Sequence, residues 1–298
     1  MMQRPRAFAI VNPAAGRGRG AAVVRRLGAE FDRVGMTIEV VVTPGPAEAA
    51  RLAAGAVDEG HTLILAVGGD GTANEVANGM IGSDAALALY PIGSGNDFAR
   101  SLGYPRGRKR KHVARWLATE ARRRTIDVGE VNGRLFLNAC GVGIDGDVAQ
   151  RLERSPGLAG SKLGYVAGSL MSVATYRPEP MEVRIDGETL FGRFLAVIAS
   201  NGKYFGSGMR PAPRARLDDG LLDVTVAGDV SKLGALAALA RIYVGKHEDG
   251  STIVTRTARE IDIDLEREMP MELDGEAARA ERLAIRVRAG ALNVLAAP

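Results

Sequence analysis

The chain has 298 residues, long for one domain, so two domains are expected. A composition of 46% hydrophobic and 25% charged residues excludes a disordered chain, and a net charge of +4 is too small to mark a nucleic-acid binder. The single cysteine, Cys140, excludes a disulfide framework and a thiolate metal cluster. The longest apolar run, 233–245, contains Arg241 and is too short to span a bilayer, and the apolar run at 7–11 is too short for a signal peptide. A cytoplasmic protein is expected.

In chain order, apolar runs at 7–11, 38–43, 62–67 and 86–91 read as strands, with helices predicted over 21–35, 46–60 and 73–81. Near-continuous apolar strands alternating with helices imply a parallel sheet covered on both faces. Ligands of such sheets bind in loops at the carboxyl ends of the strands. Each glycine-rich turn of this half falls at such an end.

The first of these turns is Val11-Asn-Pro-Ala-Ala-Gly-Arg-Gly-Arg-Gly20. Gly16, Gly18 and Ala21 fit G-x-G-x-x-A, but the second strand ends Val41-Val-Thr-Pro-Gly45 without the acid that holds a ribose hydroxyl, which argues against a dinucleotide oxidoreductase. The second turn, Gly68-Gly-Asp-Gly-Thr72, lies between a strand and a helix starting near Ala73, a setting suited to phosphate. Asp70 would repel phosphates there unless it faces a bridging Mg²⁺ or activates a nucleophile. The third, Ile92-Gly-Ser-Gly-Asn-Asp97, offers the Ser94 hydroxyl and backbone amides, with helix capping by Asn96 or Asp97 as the structural alternative. Two glycine turns at neighbouring strand ends favour one shared ligand.

From about residue 127 the texture changes to antiparallel strands, at 134–140, 181–186, 189–200, 220–227, 252–256, 260–265 and 271–274. Apolar helices are predicted over 161–176 and 231–244, and a final strand over 283–295 could join either domain. Three turns gather carboxylates: Asp145 and Asp147; Asp218, Asp219 and Asp223; and Asp274 with Glu276. Asp-Gly is also an ordinary hairpin turn. His61, His112 and His247 lie outside the glycine turns, and neither a Walker lysine motif nor a G-x-S-x-G elbow occurs. A phosphate site rich in carboxylates points to phosphoryl transfer, which needs positioning, Mg²⁺ and a base more than covalent chemistry.

Val11-Asn-Pro with its trailing glycines, Gly68-Gly-Asp-Gly-Thr-Ala-Asn-Glu75, Pro91-Ile-Gly-Ser-Gly-Asn-Asp-Phe-Ala-Arg100, Gly141-Val-Gly-Ile-Asp145, Asp218-Asp-Gly-Leu-Leu-Asp223 and Leu273-Asp-Gly-Glu276 together resemble the bacterial diacylglycerol kinases and sphingosine kinase-like lipid kinases, in the family order and over most of the chain. The resemblance implies an N-terminal Rossmann-like, NAD kinase-like α/β nucleotide domain over 1–127, completed by the tail 283–298. It further implies a C-terminal antiparallel β-sandwich domain over 128–282 and an active site in the cleft between, closing near Asp127. It assigns ATP contacts to Asn12, Thr43, Gly68, Gly69, Asp70, Gly71, Thr72, Ala73, Asn74 and Ser94, where the family usually has Thr. Glu276 matches the proposed proton acceptor with Asp274 close by, while Asp70 matches a residue that handles phosphate or Mg²⁺ in some members and is the base in others; the choice among the three stays open. A structural Mg²⁺ would take Asp219 with the carbonyls of Arg216 and Leu221. The activity implied is ATP- and Mg²⁺-dependent phosphorylation of a lipid hydroxyl, with diacylglycerol foremost. NAD kinases share the Gly-Gly-Asp-Gly-Thr loop and are the alternative, as is an ATP- or lipid-binding protein without turnover.

A lipid kinase must reach a membrane surface. Residues 106–124 concentrate basic residues, and Val113, Trp116 and Leu117 form a narrow apolar stripe at helical spacing. The stripe is expected to pack on the sheet while Arg108, Lys109, Arg110 and Lys111 face anionic lipid. The helices over 163–176 and 233–244 are candidate walls of an acyl-chain cavity. No nucleic-acid partner is expected, and the oligomeric state is left open, a homodimer included.

Overall fold

A computed structural model describes residues 6–45, 47–107, 112–155, 162–248 and 250–298, and divides into two units. One unit comprises the chain up to Ile126 together with Gly290–Pro298; the other is Asp127–Ala289.

In the first unit β1 (Arg6–Val11), β2 (Thr37–Val42), β3 (Leu63–Gly68) and β4 (Ala86–Pro91) pair in parallel in the order β4-β3-β1-β2. β1, β3 and β4 are buried almost throughout, as expected of strands covered on both faces. Helices α1 (Ala15–Asp32), α2 (Glu48–Asp58) and α3 (Asp70–Met80) connect them. Because β2 lies on one side of β1 and β3 on the other, the sheet reverses direction at the carboxyl ends of β1 and β3, where open α/β sheets hold ligands.

Two helices start earlier than the sequence suggested. α1 begins at Ala15, with Gly16 and Gly18 at φ 61° and 82° distorting its first turns, and α3 begins at Asp70, so residues 70–72 are helical rather than loop. Glycine lowers helix propensity and hid both starts. Beyond α4 (Asp97–Ser101), the described part of the basic segment contains a short helix, α5 (Val113–Thr119), before β5 (Arg122–Val131) begins. Val113, Trp116 and Leu117 are buried, with the Trp116 ring 4.5 Å from that of Tyr104, so the stripe packs inward as expected. Residues 108–111 lie outside the described residues.

The second unit is antiparallel. β6 (Arg134–Phe136) pairs with β5, and β7 (Ala139–Gly143) with β10 (Ala196–Ser200), which continues through β11 (Leu222–Ala227) to β12 (Ile253–Ala258). β8 (Glu179–Ile185) and β9 (Glu188–Phe194) form a hairpin on β13 (Glu260–Leu273). The strand expected over 189–200 is two, because at Leu195 the chain leaves β8 and its amide turns to Ala227 O at 2.8 Å. The two short strands expected at 260–265 and 271–274 are one, carried through a bulge between Asp264 and Met269. That bulge lets the first part of β13 pair with β8 and the last part with β7, giving the two layers of a β-sandwich. Val142, Val183, Val224, Ile263, Met271 and Leu283 fill the space between them.

β14 (Glu276–Ala296) pairs antiparallel with β13, and its end returns to the first unit, where Asn293 and Val294 pair in parallel with Ala86 and Leu87 of β4. Among its described residues the second unit also holds helices α6 (Ile144–Glu153), which the sequence reading took for a turn, α7 (Lys162–Thr175) and α8 (Lys232–Ile242). α6 keeps Ile144, Val148 and Leu152 at helical spacing, a signal masked by the glycines at 141, 143 and 146. Among the described residues, no helix is long and apolar enough to cross a membrane.

Candidate active site: a phosphate cradle and a carboxylate turn

In the first unit the ends of β3 and β4 lock together. The amides of Ile92 and Gly93 donate to Gly68 O at 2.9 and 3.2 Å. A Cβ on Gly93 would lie 2.5 Å from the Gly69 Cα, and one on Gly68 would lie 2.3 Å from the Thr72 hydroxyl oxygen, so neither position admits a side chain. The two glycine turns are therefore one structure, as their neighbouring strand ends suggested. The first turn joins them: Asn12 Nδ2 donates to Thr72 Oγ1 at 3.2 Å, and Arg19 Nη2 to Ile92 O at 3.0 Å.

Asp70 stands at the start of α3 and also caps α4, accepting the Phe98 amide at 2.9 Å with further bonds from the Asn96 and Asp97 backbone. The capping duty that the sequence offered to Asn96 or Asp97 falls to Asp70. Burial, and then the nearby Asp97 carboxylate, push its pKa up to about 6 against the pull of those amides. It is thus mostly ionised at neutral pH. Thr43 is buried at the end of β2, its amide on Val11 O at 2.9 Å. Ala73 is buried and gives its amide to Gly69 O at 3.0 Å. Asn74 accepts from Asn78. Ser94 is exposed and lines a cavity with Asn96, Arg100 and Arg106, whose guanidinium groups suit an anion.

In the second unit Asp274 occupies the β13–β14 turn at φ 49°, a left-handed conformation that Asp tolerates. Its carboxylate accepts the amides of Leu137, Asn138 and Ala139 at 2.7, 2.8 and 3.2 Å. Those bonds make Asp274 a tether that holds the start of β7. Glu276, one residue past the turn, is exposed, 3.5 Å from Arg134. The sequence reading missed Asn201, which is fully buried and bridges Asp127 O and Leu137 O at 3.0 Å each. Its only signal was an Asn-Gly pair directly after an apolar strand.

The 217–221 turn hangs on Asp127, whose Oδ2 accepts the Gly220 amide at 2.7 Å. Asp219 is exposed and accepts the Leu221 amide at 3.2 Å, while the Arg216 side chain turns to Asp218 at 3.5 Å. Burial, and then Asp219, raise the pKa of Asp223 to about 6, a repulsion that a cation beside Asp219 would relieve. Asp147, also weighed as a functional carboxylate, instead binds Arg151 and Ser172 at 2.7 and 2.6 Å and so ties α6 to α7. Asp145 at the start of α6 is buried, its Oδ2 lacks a hydrogen-bond partner, and desolvation lifts its pKa to about 7.

Asp145 is among the residues lining a pocket of about 100 Å³. Val148, Val173, Ile198, Leu239 and Ile242 are among its lining residues, and α7 and α8 form walls as expected.

Residues 6–131 match the diacylglycerol kinase catalytic domain, and residues 138–296 match the YegS C-terminal NAD kinase beta sandwich-like domain. The chain belongs to the diacylglycerol kinase and YegS-like lipid kinase family. Among its lipid kinase relatives, the diacylglycerol kinase of Bacillus subtilis (strain 168) is 29% identical, with 91% of this chain and 89% of that protein covered. A protein of Pseudomonas aeruginosa named probable lipid kinase YegS-like is 31% identical over 94% of this chain and 91% of its own. The crystal structure of a diacylglycerol kinase from Bacillus anthracis str. Sterne superposes with a TM-score of 0.76 at 25% identity, covering 100% of this chain and 99% of that one.

Among the described residues no three His, Cys, Asp or Glu side chains cluster as a metal cage. Mg²⁺ in phosphotransfer sites takes one or two carboxylates with substrate phosphates and water, so a lone Asp70 beside a phosphate cradle fits that chemistry.

Proposed function

We propose that this lipid kinase family member transfers the γ-phosphoryl group of ATP, with Mg²⁺, to a lipid hydroxyl, diacylglycerol first, giving phosphatidic acid. The observation that carries the reading is the pocket of the second unit, whose lining is apolar apart from a few groups such as Asp145, Thr225 and His247. A dinucleotide acceptor would need many more polar partners there, whereas acyl chains need none.

When bound, Mg·ATP supplies the phosphoryl group and neutralises its charge. The 68–72 and 92–96 segments hold the phosphates through backbone amides, and Asn12 fixes Thr72 beside them. Asp70 positions the third glycine turn and offers a carboxylate to Mg²⁺. Glu276 takes the proton of the acceptor hydroxyl as its oxygen bonds to phosphorus and the bond to the ADP oxygen breaks. Asp274 keeps that turn in place with its oxygens engaged by amides. Asp145 stands in the pocket wall at the start of α6. The reaction takes place at a membrane surface, on a protein that docks there from the cytoplasm.

The test is an acceptor panel with Mg·ATP in mixed micelles, comprising diacylglycerol, monoacylglycerol, sphingosine, ceramide, phosphatidylglycerol and NAD. Phosphorylated diacylglycerol is expected, and phosphorylation of NAD alone would overturn the reading.

A further inference from the structure

Helices α7 and α8 are apolar on two opposite faces. Their inner faces line the pocket through Val173, Leu239 and Ile242. Their outer faces carry Leu163, Leu170 and Met171 on α7, and Leu233 and Leu236 on α8 with Val244 just beyond its end. Leu163 and Leu233 are 84% and 81% exposed. These positions follow helical spacing: 163, 170 and 171 on one helix, 233 and 236 on the next.

A helix that covers an apolar pocket ordinarily turns polar residues to water. Isolated exposed leucines are common, but here two helices that pack against each other both carry exposed large apolar side chains. Ser172 and Thr175 bind Asp147 and Arg151 of α6 at 2.6 and 2.8 Å, which fixes the direction α7 faces. Charge along the pair is one-sided. Residues 163–178 and 231–247 contain Arg177, Lys232, Arg241 and Lys246, all exposed, and no acidic residue.

We propose that the outer faces of α7 and α8 are the surface by which the protein docks on an anionic bilayer. The inference rests on the lipid kinase reading for its purpose, and on the helices themselves for its geometry. Leucine side chains enter the acyl boundary while the basic residues meet anionic headgroups, as in interfacial helices. The same two helices then separate bilayer from pocket, so a lipid passes from one to the other across a single layer of side chains.

Flotation of the full chain with vesicles of phosphatidylcholine, alone or mixed equally with phosphatidylglycerol, tests the surface. Binding is expected on the anionic vesicles and is expected to fall with salt. Leu163→Glu combined with Leu233→Glu should weaken it by about tenfold or more, with an unchanged thermal midpoint because both side chains start in solvent. Should that pair fail to fold, Leu163→Gln with Leu233→Gln carries the same expectation. Unchanged binding of a folded double variant would overturn the proposal. So would a parent dimer that the variant splits with vesicle binding intact, since the face would then belong to a second copy. Leucine-dependent flotation without lipid phosphorylation would sustain the docking face and remove the proposed activity. Full activity on dispersed short-chain diacylglycerol with leucine-independent flotation would do the reverse.

Discussion

Asp274 and Glu276 lie two positions apart and do different work. Asp274 satisfies three backbone amides, and its removal leaves them buried beside β7. Asp274→Ala should cost about 3 kcal/mol of stability by denaturant unfolding. Glu276 is exposed and engaged with Arg134 at 3.5 Å. Glu276→Gln should therefore leave the thermal midpoint unchanged while lowering kcat by about 10²- to 10⁴-fold. A Glu276→Gln enzyme with parental kcat would move the proton acceptor elsewhere. Asp145 gives a stability signature with a definite sign. Its carboxyl has a pKa of about 7 when folded, against 3.8 when exposed, so the folded chain binds that proton more tightly. Its contribution is complete at low pH and is lost as pH rises through the folded value. Asp145→Asn should match the parent in acid and become progressively more stable than it from about pH 4 to about pH 7, by a few kcal/mol at most. A gap that does not change with pH would show that Asp145 is not desolvated.

At the scale of elements, the parallel strands were legible because burial on both faces makes them continuous apolar runs. The glycine turns were legible because close backbone approach excludes side chains. Their mutual contact follows from that reading and gives a sharp test. Gly93→Ala places a methyl 2.5 Å from the Gly69 Cα, so the two backbones must part. ATP affinity by calorimetry should fall by about tenfold or more while the second unit's unfolding transition stays in place. Unchanged affinity would separate the glycine contact from nucleotide binding. Other features could not be read from local sequence. The first turns of α1, α3 and α6 are glycine-rich, and propensity argues against a helix there. The cap that Asp70 provides to α4 and the tether that Asp274 provides to Leu137 join residues 28 and 137 positions apart. Such long-range pairs leave no mark in local pattern, and the same is true of Asn201.

At the scale of the whole molecule, the chain leaves the first unit at Ile126 and returns at Gly290 along β14. The returning segment buries Leu292, Val294 and Ala296 and supplies the strand beside β4, the strand that ends in the third glycine turn. Deleting residues 290–298 should lower the first unit's thermal midpoint and abolish ATP binding, because β4 becomes an edge and loses an apolar neighbour. Retained ATP binding would mean that the cradle is held by β1, β3 and β4 alone. Family membership is carried by both units, one matching the catalytic domain and the other the sandwich domain, and the proposed chemistry likewise needs a residue from each.

The measurement that tests this most directly is transfer of labelled γ-phosphate from Mg·ATP to diacylglycerol in mixed micelles by the parent, Asp70→Asn and Glu276→Gln. Labelled phosphatidic acid is expected from the parent and is expected to be lost in both variants, with Glu276→Gln still binding ATP. Undiminished product from either variant would contradict the joint use of the phosphate cradle and the carboxylate turn in one phosphotransfer.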